Sequence, residues 1–376
     1  MINIDRLTRE FIRLATIESP SRKEGRLATY LQEVFESLGA RVLFDASASQ
    51  TGSEVGNMVV KIPGGRGQAI FFNAHLDTVS PVEGIKVIFR DGVFSTDGRT
   101  ILGADDKSAI AALIEAVRVI QEQGLDHPPL ELVFTVCEEI GLLGAKNLGW
   151  ELIEAPMGYA LDNEEIDILI NRAPQAIRFR AQILGRSAHA GLAPEKGINA
   201  IKLAAKALLE MPCGRIDEET TANVGIIQGG VATNIVPPEV TIEGEARSHD
   251  STKLKQTWQA MEAALIKACQ TLPQGQDGRP SYSWQMEEDY PLMKVPEEHP
   301  VIKLALQAAK DVGLDLKLEK TGGGSDANIF NAHGRTTVIL GTGMREVHTT
   351  KEYLRLEDLI TTTRLVLGII RVAARG

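Results

Sequence analysis

The sequence contains few cysteines. Its 376 residues include only Cys137, Cys213 and Cys269. An odd number of widely spaced cysteines fits neither a disulfide framework nor a Cys-x-x-Cys zinc motif. We therefore predict reduced thiols in the protein interior.

Long hydrophobic segments are also missing. No apolar run approaches the roughly 18 residues of a membrane-spanning helix. The N-terminus has no basic stretch followed by an apolar one, which a secretory signal would require. These absences predict a cytoplasmic protein without a membrane partner.

Basic residues are fewer than acidic ones. Lysine and arginine number 40 against 50 acidic residues, which gives a formal net charge of −10. This balance disfavours nucleic acid as a partner. The length predicts one large core and a smaller second body, since single domains usually hold about 100–200 residues.

One apolar run ends abruptly in two polar residues. Residues 68–74 read as a buried strand, and His75 and Asp77 follow it. Because strand side chains alternate, both would face the same way, as a metal-binding imidazole and its orienting carboxylate do. The alternative is a half-buried strand end with two hydrogen-bonded polar side chains.

Further acidic residues lie at the ends of other predicted elements. Asp105 precedes a helix, Glu138 and Glu139 follow the strand at 130–136, and Asp162 follows a short strand. This order predicts an α/β fold with a doubly wound mixed sheet, whose ligands bind beyond the carboxyl ends of the strands. Alternatively, Asp105 only caps the helix and the glutamates form a solvated pair.

Local patterns predict two further features. Ser21 and Glu24 have the spacing of a capping box, which predicts a helix running to Leu38. Residues 87–90 and 93–95 flank Asp91-Gly92, which indicates a hairpin.

The middle of the chain has a different pattern. Strands are predicted at 176–184, 223–228, 240–247 and 281–287, and helices at 199–211 and 252–272. This order is typical of a ferredoxin-like α+β domain. We therefore predict a catalytic domain formed by residues 1–174 and 292–376, with an inserted domain at 175–291.

The predicted strand ends crowd carboxylates together. Burial and mutual repulsion would make this arrangement costly, and divalent cations would relieve it. A mixed imidazole and carboxylate set suits zinc, and five ligands suit a pair of ions that share a carboxylate.

Five segments, in this order, resemble the co-catalytic zinc exopeptidase family of peptidase T, carboxypeptidase G-type enzymes and acetylornithine deacetylase. They are His75-Leu-Asp77, Gly103-Ala-Asp105-Asp106-Lys107, Glu138-Glu139, Asp162 and His348. The resemblance covers the whole chain and favours the peptidase T-like branch. Asn163 and Ala190 depart from that branch, so strict tripeptide specificity stays open.

The resemblance implies roles for these residues. His75, Asp105 and Asp162 would bind one zinc ion, and Asp105, Glu139 and His348 would bind the other; manganese or cobalt are alternatives. Asp77 would orient His75, and Glu138 would be the general base. A cis peptide between Asp105 and Asp106 is also implied.

In the inserted domain the resemblance implies a lid that also forms a homodimer. His189 would stabilise the oxyanion, Asn234 and Arg247 would bind the substrate carboxylate, and Gly323 and Ser325 would approach the substrate backbone. The alternatives are a loop histidine, a surface cation and a plain glycine turn.

The predicted function is therefore hydrolysis of short peptides by a metal-dependent exopeptidase of the tripeptide aminopeptidase type. An N-acyl amino acid deacylase or a carboxypeptidase of the same family is the alternative reaction. A non-catalytic binding protein of the same fold is disfavoured, because it has no need of a free base such as Glu138 beside the metals.

Overall fold

The computed structural model describes residues 1–270 and 280–375. The chain forms two compact units. The large unit comprises Met1–Arg172, Met293–Thr321 and the described residues from Ser325 onward. The small unit comprises the described residues of Ala173–Leu292 together with Gly322–Gly324.

The strands, in chain order, are β1 (Arg41–Phe44), β2 (Met58–Ile62), β3 (Ile70–His75), β4 (Ile88–Arg90), β5 (Val93–Ser95), β6 (Leu130–Thr135), β7 (Met157–Asn163), β8 (Ile168–Ala173), β9 (Gln175–Leu184), β10 (Gly214–Arg215), β11 (Thr220–Gly229), β12 (Glu239–Ser248), β13 (Ser281–Tyr290), β14 (Met293–Lys294), β15 (Lys317–Lys320), β16 (Thr336–Gly341), β17 (Met344–Arg345) and β18 (Tyr353–Arg355). The α-helices are α1 (Ile4–Ala15), α2 (Gly25–Ser37), α3 (Ala48–Thr51), α4 (Ala104–Gln123), α5 (Leu143–Lys146), α6 (Ala200–Glu210), α7 (Ser251–Gln270), α8 (Pro300–Val312), α9 (Asp326–Ala332) and α10 (Leu356–Ala373).

A mixed sheet forms the centre of the large unit. Its order is β1-β2-β6-β3-β7-β16-β8-β14, and β15 pairs with β8. Strands β6, β3, β7 and β16 are parallel neighbours, whereas β1 and β2 are antiparallel additions. The α/β fold class predicted from the sequence is confirmed.

Strand β3 and helix α4 are two deeply buried elements of this unit. All six residues of β3 are buried. Helix α4 is buried along most of its length, and it packs against α1, α10 and the sheet. Elements that are enclosed on most sides need mainly apolar residues, which is why β3 and the middle of α4, residues 109–114, read as hydrophobic runs.

A second, four-stranded sheet in the large unit has the order β17-β18-β5-β4. It contains the predicted hairpin, which is confirmed as β4 and β5. Strands β17 and β18 were not predicted, because two- and three-residue segments carry no periodic pattern.

The small unit is an antiparallel sheet with two helices. Its strand order is β10-β11-β12-β9-β13, and α6 and α7 both contact it. This is the predicted ferredoxin-like arrangement with one added edge strand. The predicted helix at 252–272 is observed as Ser251–Gln270, and its last two residues lie outside the described part of the chain. The domain boundaries and the lid role remain predictions.

The predicted capping box is wrong. Glu24 is the N-cap residue of α2, but its side chain does not cap the helix, and the N–H of Gly25 donates to Glu54 instead. Ser21 instead contacts the polar cluster described below. Among the described residues, no helix is long and apolar enough to cross a membrane.

Gly158 allows β7 to approach β3 closely. A Cβ atom at this position would lie 2.3 Å from the backbone oxygen of Phe71 and 2.5 Å from its ring. We expect Gly158→Ala to lower the free energy of unfolding by about 1–3 kcal/mol, because overpacking strains a buried sheet. Urea unfolding measures this change.

Gly65→Ala is the matched control, since its added Cβ meets no heavy atom within 4 Å. An equal change in both variants would show that the close approach of β7 to β3 does not set the effect.

Candidate metal centre

Three neighbouring strands bring polar residues to one edge of the central sheet. β3 ends at His75, Asp162 lies near the end of β7, and Glu138 and Glu139 follow β6. Because β3 is parallel to both β6 and β7, their carboxyl ends meet at the same edge. The large unit therefore gathers here the residues that the sequence placed at separate strand ends.

Asp105 lies between two histidines. Its Oδ1 is 2.9 Å from Nε2 of His75, and its Oδ2 is 3.2 Å from Nε2 of His348. Burial opposes ionisation of Asp105, but these contacts outweigh it, and the pKa of Asp105 is below its ordinary value. Each carboxylate oxygen thus faces a different imidazole, the arrangement expected of a carboxylate that bridges two cations.

His348 also contacts Glu139. The His348 Nε2 and Glu139 Oε1 atoms are 3.0 Å apart. The carboxylates of Asp105 and Glu139 raise the pKa of His348 to about 10. His348 has a positive φ of 62°, a backbone conformation that occurs in tight turns and not in strands. His348, a loop residue in the C-terminal part of the chain, therefore lies at the same edge of the central sheet as the strand-end residues.

Two further carboxyl groups at this edge are hard to ionise. Burial raises the pKa of Glu138, and the charge of Asp162 adds to the effect. Burial likewise raises the pKa of Asp162, and the charge of Asp105 adds to it. Negative charge is therefore in excess at this edge of the sheet.

These residues fit a bound metal. Ligand atoms of His75, Asp105 and Glu139 all lie within 4.8 Å of one another. Oε1 of Glu139 is buried, and it faces the Nε2 atom of His348 at 3.0 Å. Bound cations would use this oxygen and offset the excess charge.

His75 is oriented by the backbone carbonyl of Asp77, whereas the sequence predicted that the carboxylate of Asp77 would orient it. Nδ1 of His75 is 2.9 Å from the backbone oxygen of Asp77 but 3.6 Å from its carboxylate Oδ1. Strand β3 ends at His75, so side-chain alternation does not continue to Asp77. Donation from Nδ1 to the carbonyl leaves Nε2 as the atom available for a metal.

The model of peptidase family M20/M25/M40 matches residues 71–372. The chain belongs to this family of peptidases. Members of the family are metal-dependent hydrolases, which agrees with the metal-binding group formed by His75, Asp105 and Glu139.

Solved structures and curated relatives agree with this membership. A tripeptidase from Staphylococcus aureus subsp. aureus Mu50 has a TM-score of 0.95 and 38% identity over 100% of both chains. The aminopeptidase PepT from Bacillus cereus ATCC 10987 has a TM-score of 0.92 and 40% identity over 99% of both chains. Protein YqjE of Bacillus subtilis is 41% identical over 100% of both chains, and peptidase T of Escherichia fergusonii is 24% identical over 99% of this chain and 100% of the relative.

The peptide between Asp105 and Asp106 is cis, as the family resemblance implied. The idea that Asp105 only caps helix α4 is not supported, since its side chain contacts two histidines and α4 has no side-chain cap from its own segment.

The small unit holds four of the predicted substrate-binding residues. His189 and Asn234 are exposed on adjacent segments, where the backbone N–H of Ala190 donates to the Asn234 carbonyl at 2.9 Å. Arg247 forms a two-point ion pair with Glu245 and approaches the carbonyl of Gly322 at 3.4 Å. Arg247 and Gly323 are therefore close in this unit. Ser325 belongs to the large unit.

Ser325 also has a local structural role. Its hydroxyl accepts a hydrogen bond from the N–H of Ala327, and its own N–H donates to Asn328, which forms a capping box on α9. A short helix after a glycine run was not predicted, since α9 has only seven residues.

Sequence reasoning missed several residues that support the site. Ser21 donates to Oδ2 of Asp77 at 2.6 Å, and Asp77 also accepts from the backbone N–H groups of Glu138 and Glu139. Burial opposes ionisation of Asp77, but the charge of His75 and the hydrogen bond from Ser21 outweigh it and keep the pKa of Asp77 below its ordinary value. Asp77 therefore positions the glutamate pair as well as His75.

Glu24 and Asn57 form hydrogen bonds with the segment that follows β6 and leads to Glu138 and Glu139. Glu24 accepts hydrogen bonds from the backbone N–H of Cys137 and from Ser53. Asn57 accepts from the N–H of Val136 and donates to the carbonyl of Gly144. The Ser21 and Glu24 pattern was visible in the sequence, but it indicates contacts to the site and not a helix cap.

Asp326 is a further buried acid at this edge. It accepts hydrogen bonds from Thr135 and from Asn73, while its other oxygen has no hydrogen-bond partner among the described residues. Burial raises its pKa to about 6. The only sequence signal was its place beside Ser325, at the end of the glycine run.

Removing the Ser21 hydroxyl tests whether Ser21 supports the site through its hydrogen bond to Asp77. We expect Ser21→Ala to lower the free energy of unfolding by about 1.5–3 kcal/mol, because Asp77 loses a hydrogen bond to its charged carboxylate. Metal affinity should fall as well, since Asp77 positions His75 and both glutamates. Urea unfolding and zinc titration measure the two effects.

Ser49→Ala is the control, because Ser49 makes only exposed hydrogen bonds in its own segment. If Ser21→Ala matches this control in both measurements, the contact with Asp77 contributes nothing.

Proposed function

We propose that the protein is a metal-dependent exopeptidase that hydrolyses short peptides, of the tripeptide aminopeptidase type. The observation that carries this proposal is the carboxylate of Asp105 between two histidines, with Glu138 at the same sheet edge. The names of the similar proteins, a tripeptidase and an aminopeptidase, support the substrate class.

Two zinc ions are the proposed cofactors, with manganese or cobalt as alternatives. His75, Asp105 and Asp162 would hold one ion, while Asp105, Glu139 and His348 would hold the other. Nitrogen and carboxylate donors in this mixture suit zinc. When bound, the ions lower the pKa of a water molecule and polarise the scissile carbonyl.

Glu138 is the proposed general base. Burial raises the pKa of Glu138, and bound cations would lower it again, which would suit a group that accepts and returns a proton. Glu138 would take a proton from the attacking water and pass it to the leaving amine. His189 would donate a hydrogen bond to the oxyanion.

The proposed contacts to the rest of the substrate come from Asn234, Arg247, Gly323 and Ser325. The guanidinium of Arg247 is partly engaged by Glu245, and this pairing holds its orientation. Arginine suits a terminal carboxylate because its planar fork donates parallel hydrogen bonds.

The alternative reactions are deacylation of N-acyl amino acids and carboxypeptidase cleavage. A panel of di-, tri- and tetrapeptides and acetylated amino acids distinguishes them. Release of the N-terminal amino acid from tripeptides supports the proposal, whereas release of acetate or of C-terminal residues would overturn it in favour of an alternative.

We also propose a homodimer formed through the small unit. This unit exposes apolar side chains that a monomer would leave in water: Ile201, Leu209, Ile226, Ile227 and Val231. Exposed apolar groups of this kind mark association surfaces.

Mutation can distinguish the proposed general base, Glu138, from a proposed metal ligand, His348. We expect Glu138→Gln to retain about two zinc ions per chain and to lose at least about 100-fold in kcat, since it removes a base and no ligand. His348→Ala should lose metal. Elemental analysis after dialysis and peptidase assays measure both properties.

If Glu138→Gln loses zinc as completely as His348→Ala, the two glutamates have the opposite roles. The exposed Glu151, in the short 3₁₀ helix Trp150–Leu152, offers a control, since Glu151→Gln should change neither property.

The proposed role of Arg247 depends on a free substrate carboxylate. We expect Arg247→Ala to weaken transition-state binding of a tripeptide by about 2–4 kcal/mol, because a charged hydrogen bond is lost. A tripeptide amide should be affected little. The values of kcat/KM for both substrates give the comparison.

Arg178→Ala is the matched control, as Arg178 lies on the same sheet and pairs with Asp289. Equal losses on acid and amide would mean that Arg247 is structural and that the carboxylate binds elsewhere.

A further inference from the structure

Helix α4 begins in an unusual way. Its N-cap residue, Gly103, is in the left-handed region at φ 73°, and no side chain from the segment caps the helix. Backbone N–H groups at the start of a helix have no intrahelical partner, so a buried helix start needs acceptors from elsewhere. Asp105 lies in this first turn.

The acceptor comes from the distant C-terminal part of the large unit. The carboxylate of Glu352 accepts hydrogen bonds from the N–H groups of Leu102 and Gly103, both at 2.7 Å, and of Asp105 at 3.0 Å. The Glu352 side chain is buried, with 2% exposure. One carboxylate therefore satisfies three backbone donors of the segment that presents Asp105.

Glu352 is itself held firmly. It lies between β17 and β18, and its backbone N–H donates to the carbonyl of Thr349 at 3.1 Å. β18 pairs with both β17 and β5. Glu352 follows His348 by four residues, so its carboxylate ties the loop that carries His348 to the turn that carries Asp105.

The contact needs a carboxylate and not an amide. All three partners are N–H donors, and a carboxylate has only acceptor atoms. A glutamine would turn its NH2 group toward at least one of these donors. The positive charge of the buried Lys107 lies near enough to attract Glu352, and Lys107 Nζ donates to the carbonyl of Ile17 at 2.7 Å.

We propose that Glu352 is a positioning residue of the metal centre, which fixes the backbone of residues 102–105 so that Asp105 directs one carboxylate oxygen toward His75 and the other toward His348. The distances of 2.9 Å and 3.2 Å on the two sides leave little freedom for Asp105 to rotate. The inference rests on the proposed metal centre and assigns a function to an acid that neither binds metal nor acts as base.

The test compares Glu352→Gln with Glu131→Gln. Glu131 is also a buried carboxylate of the large unit, and it accepts from the backbone N–H groups of Glu154 and Ala155. It lies near the start of β6, away from the sheet edge that holds the candidate ligands. Both variants replace a buried acceptor, but only one contacts the Asp105 segment.

We expect Glu352→Gln to weaken zinc binding by about 10- to 100-fold in competition with a chelator, the usual effect of losing a group that orients a ligand. Hydrogen exchange of the amides of Leu102, Gly103 and Asp105 should accelerate. High zinc should restore much of kcat. Glu131→Gln should lower thermal stability and leave zinc affinity and these amides unchanged.

Wild-type zinc affinity in Glu352→Gln would overturn the proposal, as would an equal loss of affinity in Glu131→Gln. Because zinc binding is measured without substrate, the outcome is independent of peptidase activity. A wild-type protein that binds zinc but cleaves no peptide would overturn the proposed function alone, whereas one that binds no zinc would overturn the metal centre and this inference together.

Discussion

The crowding of carboxylates at one edge of a buried sheet is the constraint on which the rest of this structure depends. Glu138 and Asp162 both have raised pKa values, because burial and neighbouring charge oppose their ionisation. Such a cluster is costly unless cations compensate for it. The electrostatics of this edge therefore agree with the metal dependence of the peptidase family to which the chain belongs.

A second group of buried polar residues holds the cluster in place. Asp77, Glu24 and Glu352 each accept hydrogen bonds from backbone N–H groups in turns that carry candidate ligands. These turns have irregular backbone, and without acceptors their buried N–H groups would destabilise the fold. The same hydrogen bonds fix the directions of the ligands, so folding and site geometry depend on the same contacts.

Much of the fold was predictable because buried strands and helices require periodic or continuous apolar residues. β3 and the alternating strands of the small unit are of this kind, and their predicted positions agree with the structure within a few residues. Short elements such as α9 and β17 were missed, since their formation depends on tertiary contacts and not on a pattern of their own.

For the site, the sequence by itself determined which residues end the buried strands, and the parallel order of those strands brings His75, Glu138 and Asp162 to one edge. Only the tertiary structure decided which groups orient them. Ser21 contacts Asp77 across 56 positions and Glu352 contacts Gly103 across 249. Hydrogen bonds between such distant segments depend on how the whole unit packs, and no local pattern in the sequence encodes them.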